Sequence, residues 1–307
     1  LGIHITQKAM NIIQVYKQFP TQADCLAELE RIRWNGKPQC PYCNSTNQTP
    51  APKEHRYHCN NCNTSFSVTV GTIFHKTRLD LQKWFLAIAL TLNAKKGFSA
   101  RQLARDIEVN KDTAWSLMMR IRRAFVDAPD LMQGVVEIDE TFVGGKNKNR
   151  HNDKKISGGQ GGNGGDKTIV VGTLNREGKV KAEVAPDCTQ GTLSAIIKKN
   201  VSKGAKIMTD EHRGYNSLTE DYIHSIVTHS IGEYVNGDTH TNTMEGFWSL
   251  LKRGVIGQYH YVTPKYLNQY VTEFCFRYNA RKEKAADLFL RVLYKALNPY
   301  SPASAVL

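Results

Sequence analysis

The chain has 307 residues and a mass of 34.6 kDa, room for two or three domains of roughly 100–200 residues each, and its 40% hydrophobic and 9% aromatic content excludes wholesale disorder. No uncharged apolar run reaches the ~18–20 residues of a membrane-spanning helix, and His4, Gln7 and Lys8 interrupt any apolar leader, so neither a membrane nor a secreted protein is expected. Forty-one Lys and Arg against 28 Asp and Glu give a formal charge of +13, which favours a polyanionic partner through counterion release from phosphates over a basic surface that serves solubility alone.

The seven cysteines are an odd number, and four of them form two tight pairs. That usage fits metal ligation in a reducing compartment better than a disulfide framework. Cys40-Pro-Tyr-Cys43 is followed, after fifteen residues, by Cys59-Asn-Asn-Cys62. Two such knuckles offer four thiolates to one tetrahedral Zn²⁺ and leave no open position for a substrate, so the ion is expected to organise rather than to catalyse. Residues 56–59 alternate like a strand and 64–70 read as another, predicting a zinc ribbon within a region spanning 1–75. A redox dithiol pair is disfavoured because neither knuckle sits in a βαβ context. Cys25, Cys188 and Cys275 are isolated and read as small buried hydrophobes.

From Leu79 to about Val126 the pattern becomes helical. Leu81, Trp84, Phe85, Ile88 and Leu92 recur at three- and four-residue steps, the period of one buried helix face. Gly97-Phe98 breaks the pattern, and Ser99 reads as an N-cap for 100–107. After a break at 108–110 a further helix starts at Lys111. Two short helices joined by such a turn predict a helix-turn-helix in a domain spanning 76–130. Its second helix carries Lys111, Thr113, Ser116, Arg120, Arg122 and Arg123, groups suited to phosphates and base edges. The plainer alternative is a three-helix bundle with a solvated basic face.

Beyond Pro129 the grammar changes. Strands are predicted at 135–143, 168–172 and 179–184, a helix at 189–200, strands at 205–209 and 224–228, and a helix from about His240. The order describes a mixed sheet flanked by helices, an α+β or α/β arrangement that suits a ribonuclease H-like domain over 131–307. Between Gly144 and Asp166 lie eight glycines, five Lys or Arg and two acids, which predicts a mobile basic loop. Its Lys146, Lys148, Arg150, Lys154 and Lys155 are candidate phosphate contacts. The loop lacks the GxxxxGK[ST] pattern of a phosphate-binding nucleotide loop, so no nucleotide cofactor is expected.

The acids give this arrangement a chemical meaning. Glu137, Asp139 and Thr141 share one face of the first strand, with Ile138, Glu140 and Phe142 on the other. Asp139 is therefore an acid within an apolar strand, a costly position without a purpose. Asp210 follows the fourth strand at its C-terminal edge, where open sheets commonly present a site. On the helix from His240, Met244, Phe247, Trp248 and Leu251 form the buried face, and Asn242, Glu245, Ser249 and Lys252 a polar stripe. A carboxylate on that stripe could meet Asp139 and Asp210. Such oxygen donors suit Mg²⁺ or Mn²⁺, and two ions about 3.5–4 Å apart would activate a water or 3′-hydroxyl and stabilise the leaving oxygen.

Three segments carry a family resemblance: residues 137–146 (EIDETFVGGK), 209–215 (TDEHRGY) and 240–253 (HTNTMEGFWSLLKR). They resemble the motifs of prokaryotic insertion-sequence transposases of the DDE superfamily, the ISXO-type group with an N-terminal zinc ribbon, related to Merlin-type transposases. The likeness covers nearly the whole chain and extends to residues 273–279. It implies an enzyme that binds the terminal inverted repeats of its element in double-stranded DNA and performs metal-dependent strand cleavage and strand transfer. It also implies a prokaryotic, cytoplasmic, nucleoid-associated protein. By this resemblance Asp139 and Asp210 are the first two catalytic acids and metal ligands. The third is Asn242 or Glu245, with Lys252 as a phosphate contact. Glu140 and Glu211 read as supporting or surface groups. Joining two DNA ends implies a homo-oligomer, at least a dimer. The competing readings are a DNA-binding regulator with an inactive core and a structure-specific nuclease of the same fold.

Overall fold

The computed structural model describes residues 10–145, 151–155, 167–227 and 240–299. The chain divides into two compact units, one formed by the segment up to Asp127 together with that from Lys282, the other by Ala128–Arg281.

The first unit opens with helices α1 (Ile12–Gln18) and α2 (Gln22–Trp34), each begun by a reciprocal cap, Asn11 with Gln14 and Thr21 with Asp24. These caps satisfy amide groups that a helix start leaves without partners. A three-stranded antiparallel sheet follows, β1 (Gln48–Ala51), β2 (Arg56–Cys59) and β3 (Thr64–Phe66). The last strand is shorter than the predicted 64–70, and Arg33 Nη1 instead donates to the carbonyls of Val68 and Val70. Helices α3 (Leu81–Asn93), α4 (Ala100–Asp106) and α5 (Lys111–Arg123) come next. Ser99 caps α4 as expected, its side chain accepting from the Gln102 amide. Asn110 caps α5 by accepting from the Thr113 amide at 2.7 Å, and Glu108, at φ 53°, makes the turn between them.

The division differs from the predicted boundary. Helix α9 (Ala285–Leu297) belongs to this first unit rather than to a domain spanning 131–307. Phe289 packs against both Phe19 and Phe85, with ring centroids 6.4 and 5.9 Å away. The Ile73 amide donates to the Ala296 carbonyl and Lys295 pairs with Asp127. Burial of a Phe side chain is worth about 1.5–3 kcal/mol, so α9 adds to the aromatic core of this unit.

The second unit is built on a five-stranded sheet of order β6-β5-β4-β7-β8. The strands are β4 (Val135–Val143), β5 (Thr168–Asn175), β6 (Val180–Ala185), β7 (Lys206–Thr209) and β8 (Ile223–Ile226). The first three form an antiparallel meander, whereas β7 and β8 run parallel to β4. One face carries α6 (Gln190–Asn200) over Val136, Ile138, Ile169 and Ile207. Helices α7 (Asn242–Gly254) and α8 (Pro264–Asn279) complete the unit. A Cβ on Gly172 would stand 2.1 Å from Met244 Cε and 2.7 Å from the Trp248 ring, so the absence of a side chain there lets α7 lie directly on β5. Gly172→Val is expected to displace α7 and cost about 1–3 kcal/mol, read as a lower urea midpoint of the second unit.

Candidate active site

Strand pairing assembles the site. Glu137 stands opposite Met208 in the parallel β4–β7 ladder, and carrying that register on by two residues sets Asp210 beside Asp139. Helix α7 supplies a wall. Asp139, Glu140, Asp210, Glu245, Lys252 and Arg253 line one cleft of about 560 Å³, and Thr141, Thr241, Trp248, Ser249 and Ile256 complete its lining.

Each acid is held differently. Asp139 accepts from Trp248 Nε1 at 3.0 Å and from the Glu140 amide at 2.8 Å. Burial, then the charges of Glu140 and Asp210, push its carboxyl up to about 7. Glu140 is also pushed up, chiefly by burial, and accepts from the buried Tyr215 hydroxyl. Burial and the nearby carboxylates raise the Tyr215 phenol well above its usual range. Asp210 Oδ1 accepts from the His212 amide at 3.0 Å. Glu245 is exposed, with Thr241 Oγ1 3.4 Å from its Oε1.

The predicted stripe of Glu245, Ser249 and Lys252 faces this cleft. Asn242 stands exposed at the first position of α7 and is not part of the lining. The acids share the cleft without converging: among the described residues, no three carboxylate or imidazole ligands lie within 4.8 Å of one another. Glu140, which reads from the sequence as a supporting or surface group, lines the cleft. It lies where β7 has ended at Thr209 while β4 runs on to Val143, a feature of strand length rather than of pattern. Arg253 and the 68%-exposed Ile256 were also missed. Ile256 lies in a π-helical turn, Val255–Tyr259, that a helical period does not reveal.

The four cysteines Cys40, Cys43, Cys59 and Cys62 do converge, their sulfur atoms all within 4.8 Å. Cys40 and Cys62 are 3.7 Å apart, Cys43 and Cys59 3.5 Å. Four sulfurs about 2.3 Å from one Zn²⁺ would stand about 3.8 Å apart, so the donor set fits the ion. The Cys62 amide, ahead of that of Asn61, lowers the Cys59 thiol to about 6 against the opposing effect of burial. Trp34, Tyr57, Phe66 and Val70 pack around the cluster. Cys25 and Cys275 are buried and Cys188 is half-buried beside the second unit's core.

On α5, Lys111, Ser116 and Arg123 are exposed and Thr113 is half-buried. Arg120 is half-buried, its guanidinium 5.0 Å from the Trp84 ring centroid and its Nη2 donating to the His75 carbonyl. Arg122 departs from the predicted basic face: it is 2% exposed, with Nη1 3.3 Å from Met119 Sδ. The helix turns it inward with Leu117, Met118 and Ile121. A groove of about 430 Å³ runs beside Lys76, Arg78, Asn110, Thr113, Ser116 and Arg120. Of the loop residues, Lys146, Lys148 and Arg150 lie outside the described residues, as does the Lys154 side chain. Lys155 is exposed and donates to Asn152 Oδ1.

A sheet of this order with acids beside its central parallel strands, joined to a cysteine-based ribbon, is a mixed α+β architecture of the ribonuclease H-like kind. Residues 131–279 match the ISXO2-like transposase domain and residues 20–65 the transposase zinc-ribbon domain. The chain is 30% identical over 295 residues to the "Uncharacterized protein in transposable element ISH50" of Halobacterium salinarum, covering 92% of this chain and 99% of that one. It belongs to the family of insertion-sequence transposases that join a zinc ribbon to an ISXO2-like transposase domain. Among the described residues, no helix is long and apolar enough to cross a membrane.

Proposed function

We propose that the chain binds the terminal inverted repeats of its own element as double-stranded DNA and catalyses divalent-metal-dependent strand cleavage and strand transfer into target DNA. The observation that carries this reading is the β4–β7 register, which sets Asp139 beside Asp210 at one cleft. Oxygen donors are what Mg²⁺ or Mn²⁺ requires, and Asp139, raised first by burial and then by the charges of Glu140 and Asp210, is a carboxyl that a nearby cation would favour in its charged form. Asp139 and Asp210 would hold the ions. Glu245 is the better third ligand because it lines the cleft and carries charge, whereas Asn242 has neither property. When bound, two such ions supply an activated water or 3′-hydroxyl and stabilise the leaving oxygen.

The protein's own groups perform the remaining work. Trp248 orients Asp139 through its indole N–H, and the His212 amide orients Asp210. Lys252 and Arg253 receive the phosphate on the far wall. Zn²⁺ at the four cysteines holds the ribbon. Helix α5 reads DNA through Lys111, Thr113, Ser116 and Arg123, in a prokaryotic cell at the nucleoid. Two element ends must be joined together, so the working form is a homo-oligomer, at least a dimer.

A short duplex end built from the flanking repeats, incubated with the zinc-loaded chain and Mn²⁺, is expected to give nicked and joined products. Specific binding by the folded protein without any product would instead make it a regulator. Lys111→Ala with Arg123→Ala is expected to lower the slope of log affinity against log salt by about 2. Arg122→Ala is expected to lower the melting temperature and leave that slope unchanged, because its side chain is buried.

A further inference from the structure

One buried charge is not accounted for by this chemistry. Glu137 is 0% exposed. Its Oε1 lies 3.2 Å from Arg176 Nε and 3.3 Å from His240 Nδ1, and accepts from Thr243 Oγ1 at 2.9 Å. Its Oε2 accepts from the Met244 amide at 3.0 Å. Helix α7 has no side-chain cap of its own at Thr241, so its first turn depends on partners from elsewhere. Glu137 supplies one from β4, and its negative charge suits the positive end of the helix. Arg176 extends the network, with Nη2 3.0 Å from Met208 Sδ and 3.4 Å from the His240 carbonyl.

The hub has a regular relation to the site. Glu137 precedes Asp139 by two residues on β4, Met208 precedes Asp210 by two across β7, and Met244 directly precedes Glu245 on α7. The network therefore ties together, one pleat beneath the cleft, the three segments that carry its acids. A buried ion pair is poor evidence for stability, since apolar side chains often serve as well; its best-supported use is to fix one arrangement among several.

We propose that Glu137 is a positioning residue for the transposition chemistry: it anchors the first turn of α7 to β4 and so sets Glu245 and Trp248 relative to Asp139. The proposal rests on the transposase reading above. It acts through these residues, because Glu137 itself has no access to DNA or metal.

The test compares full-length, zinc-loaded wild type with Glu137→Met, which fills the space without charge, and Glu137→Gln, which keeps one acceptor oxygen. Hydrogen exchange in the metal-free protein reads the anchoring directly. Single-turnover cleavage of a pre-bound duplex end against Mn²⁺ concentration reads the positioning. In Glu137→Met, amides of 243–246 are expected to exchange at least about tenfold faster while 169–174 keep their protection. Half-saturating Mn²⁺ should rise at least about tenfold with DNA affinity unchanged, and Glu137→Gln should fall between. Should Glu137→Met fail to fold, Glu137→Gln decides by the same two readouts. Faster exchange spread evenly over β4, β5 and α7 with a wild-type Mn²⁺ requirement would overturn the proposal, leaving a merely structural core charge. Unchanged exchange at 243–246 would overturn it too. A wild-type chain that cleaves no end under any metal sinks the transposase reading and the catalytic half of the proposal, while the exchange data still judge the anchoring.

Discussion

Asp139→Asn is expected to abolish strand cleavage and joining, by at least about 10³-fold, while DNA binding and folding persist. Asn has nearly the same shape, and its one oxygen can keep the bond from Trp248 Nε1 that ties α7 to β4, giving up the acceptor for the Glu140 amide. What disappears is the charge that would hold a divalent ion beside Asp210. Stability should move the other way. In the metal-free fold the Asp139 carboxyl is pushed up to about 7 from 3.8. Between those values the folded state binds the proton more tightly than the unfolded chain, so stability falls as pH rises through this window. Asn carries no such penalty. The variant should therefore melt higher than metal-free wild type at pH 8 and no higher near pH 4, measured by calorimetry at both. A variant that still nicks at the wild-type rate would remove Asp139 from the chemistry.

Zinc removal is expected to unfold the ribbon, about residues 36–70, and to leave the five-stranded sheet intact. The apolar support there is one small cluster, Trp34, Tyr57, Phe66 and Val70 around the cysteines. Structural zinc in isolated finger peptides is worth about 10–16 kcal/mol, more than so few side chains can replace. Helix α2 keeps its own capping box and buries Cys25, Leu26 and Leu29 away from the metal, so it should survive. A chelator titration followed by hydrogen exchange checks this. Loss of protection in 56–66 with 135–143 and 168–175 unchanged is the expected pattern, and a single cooperative collapse of every segment would sink the modular picture.

The sequence carried the parts of this structure that local rules govern. The CxxC spacing announced the ribbon, Ser99 marked a helix start, and alternation in β4 assigned Asp139 and Ile138 to opposite faces. What stayed hidden was set by pairing across long separations. Nothing near Glu137 reveals that its partners are Arg176, His240 and Thr243, because α7 reaches β4 only once the sheet has formed. Arg122 leaves the expected basic face for a simpler reason: Arg residues at 120, 122 and 123 cannot all share one face of a helix, and the apolar period Leu117, Met118, Ile121 draws Arg122 inward. The start of α2 is as local as that of α4: Thr21 and Asp24 form a capping box.

The place of α9 has a consequence for how such a protein is made. The helix that closes the first unit is synthesised after every strand and helix of the second. A chain cut short before residue 285 by a premature stop lacks Phe289, Lys295 and the Ala296 carbonyl, and so lacks the means to complete its aromatic core. Under the function proposed above, an aborted translation product is expected to carry an unfinished N-terminal unit and so to compete poorly with the full chain for DNA ends.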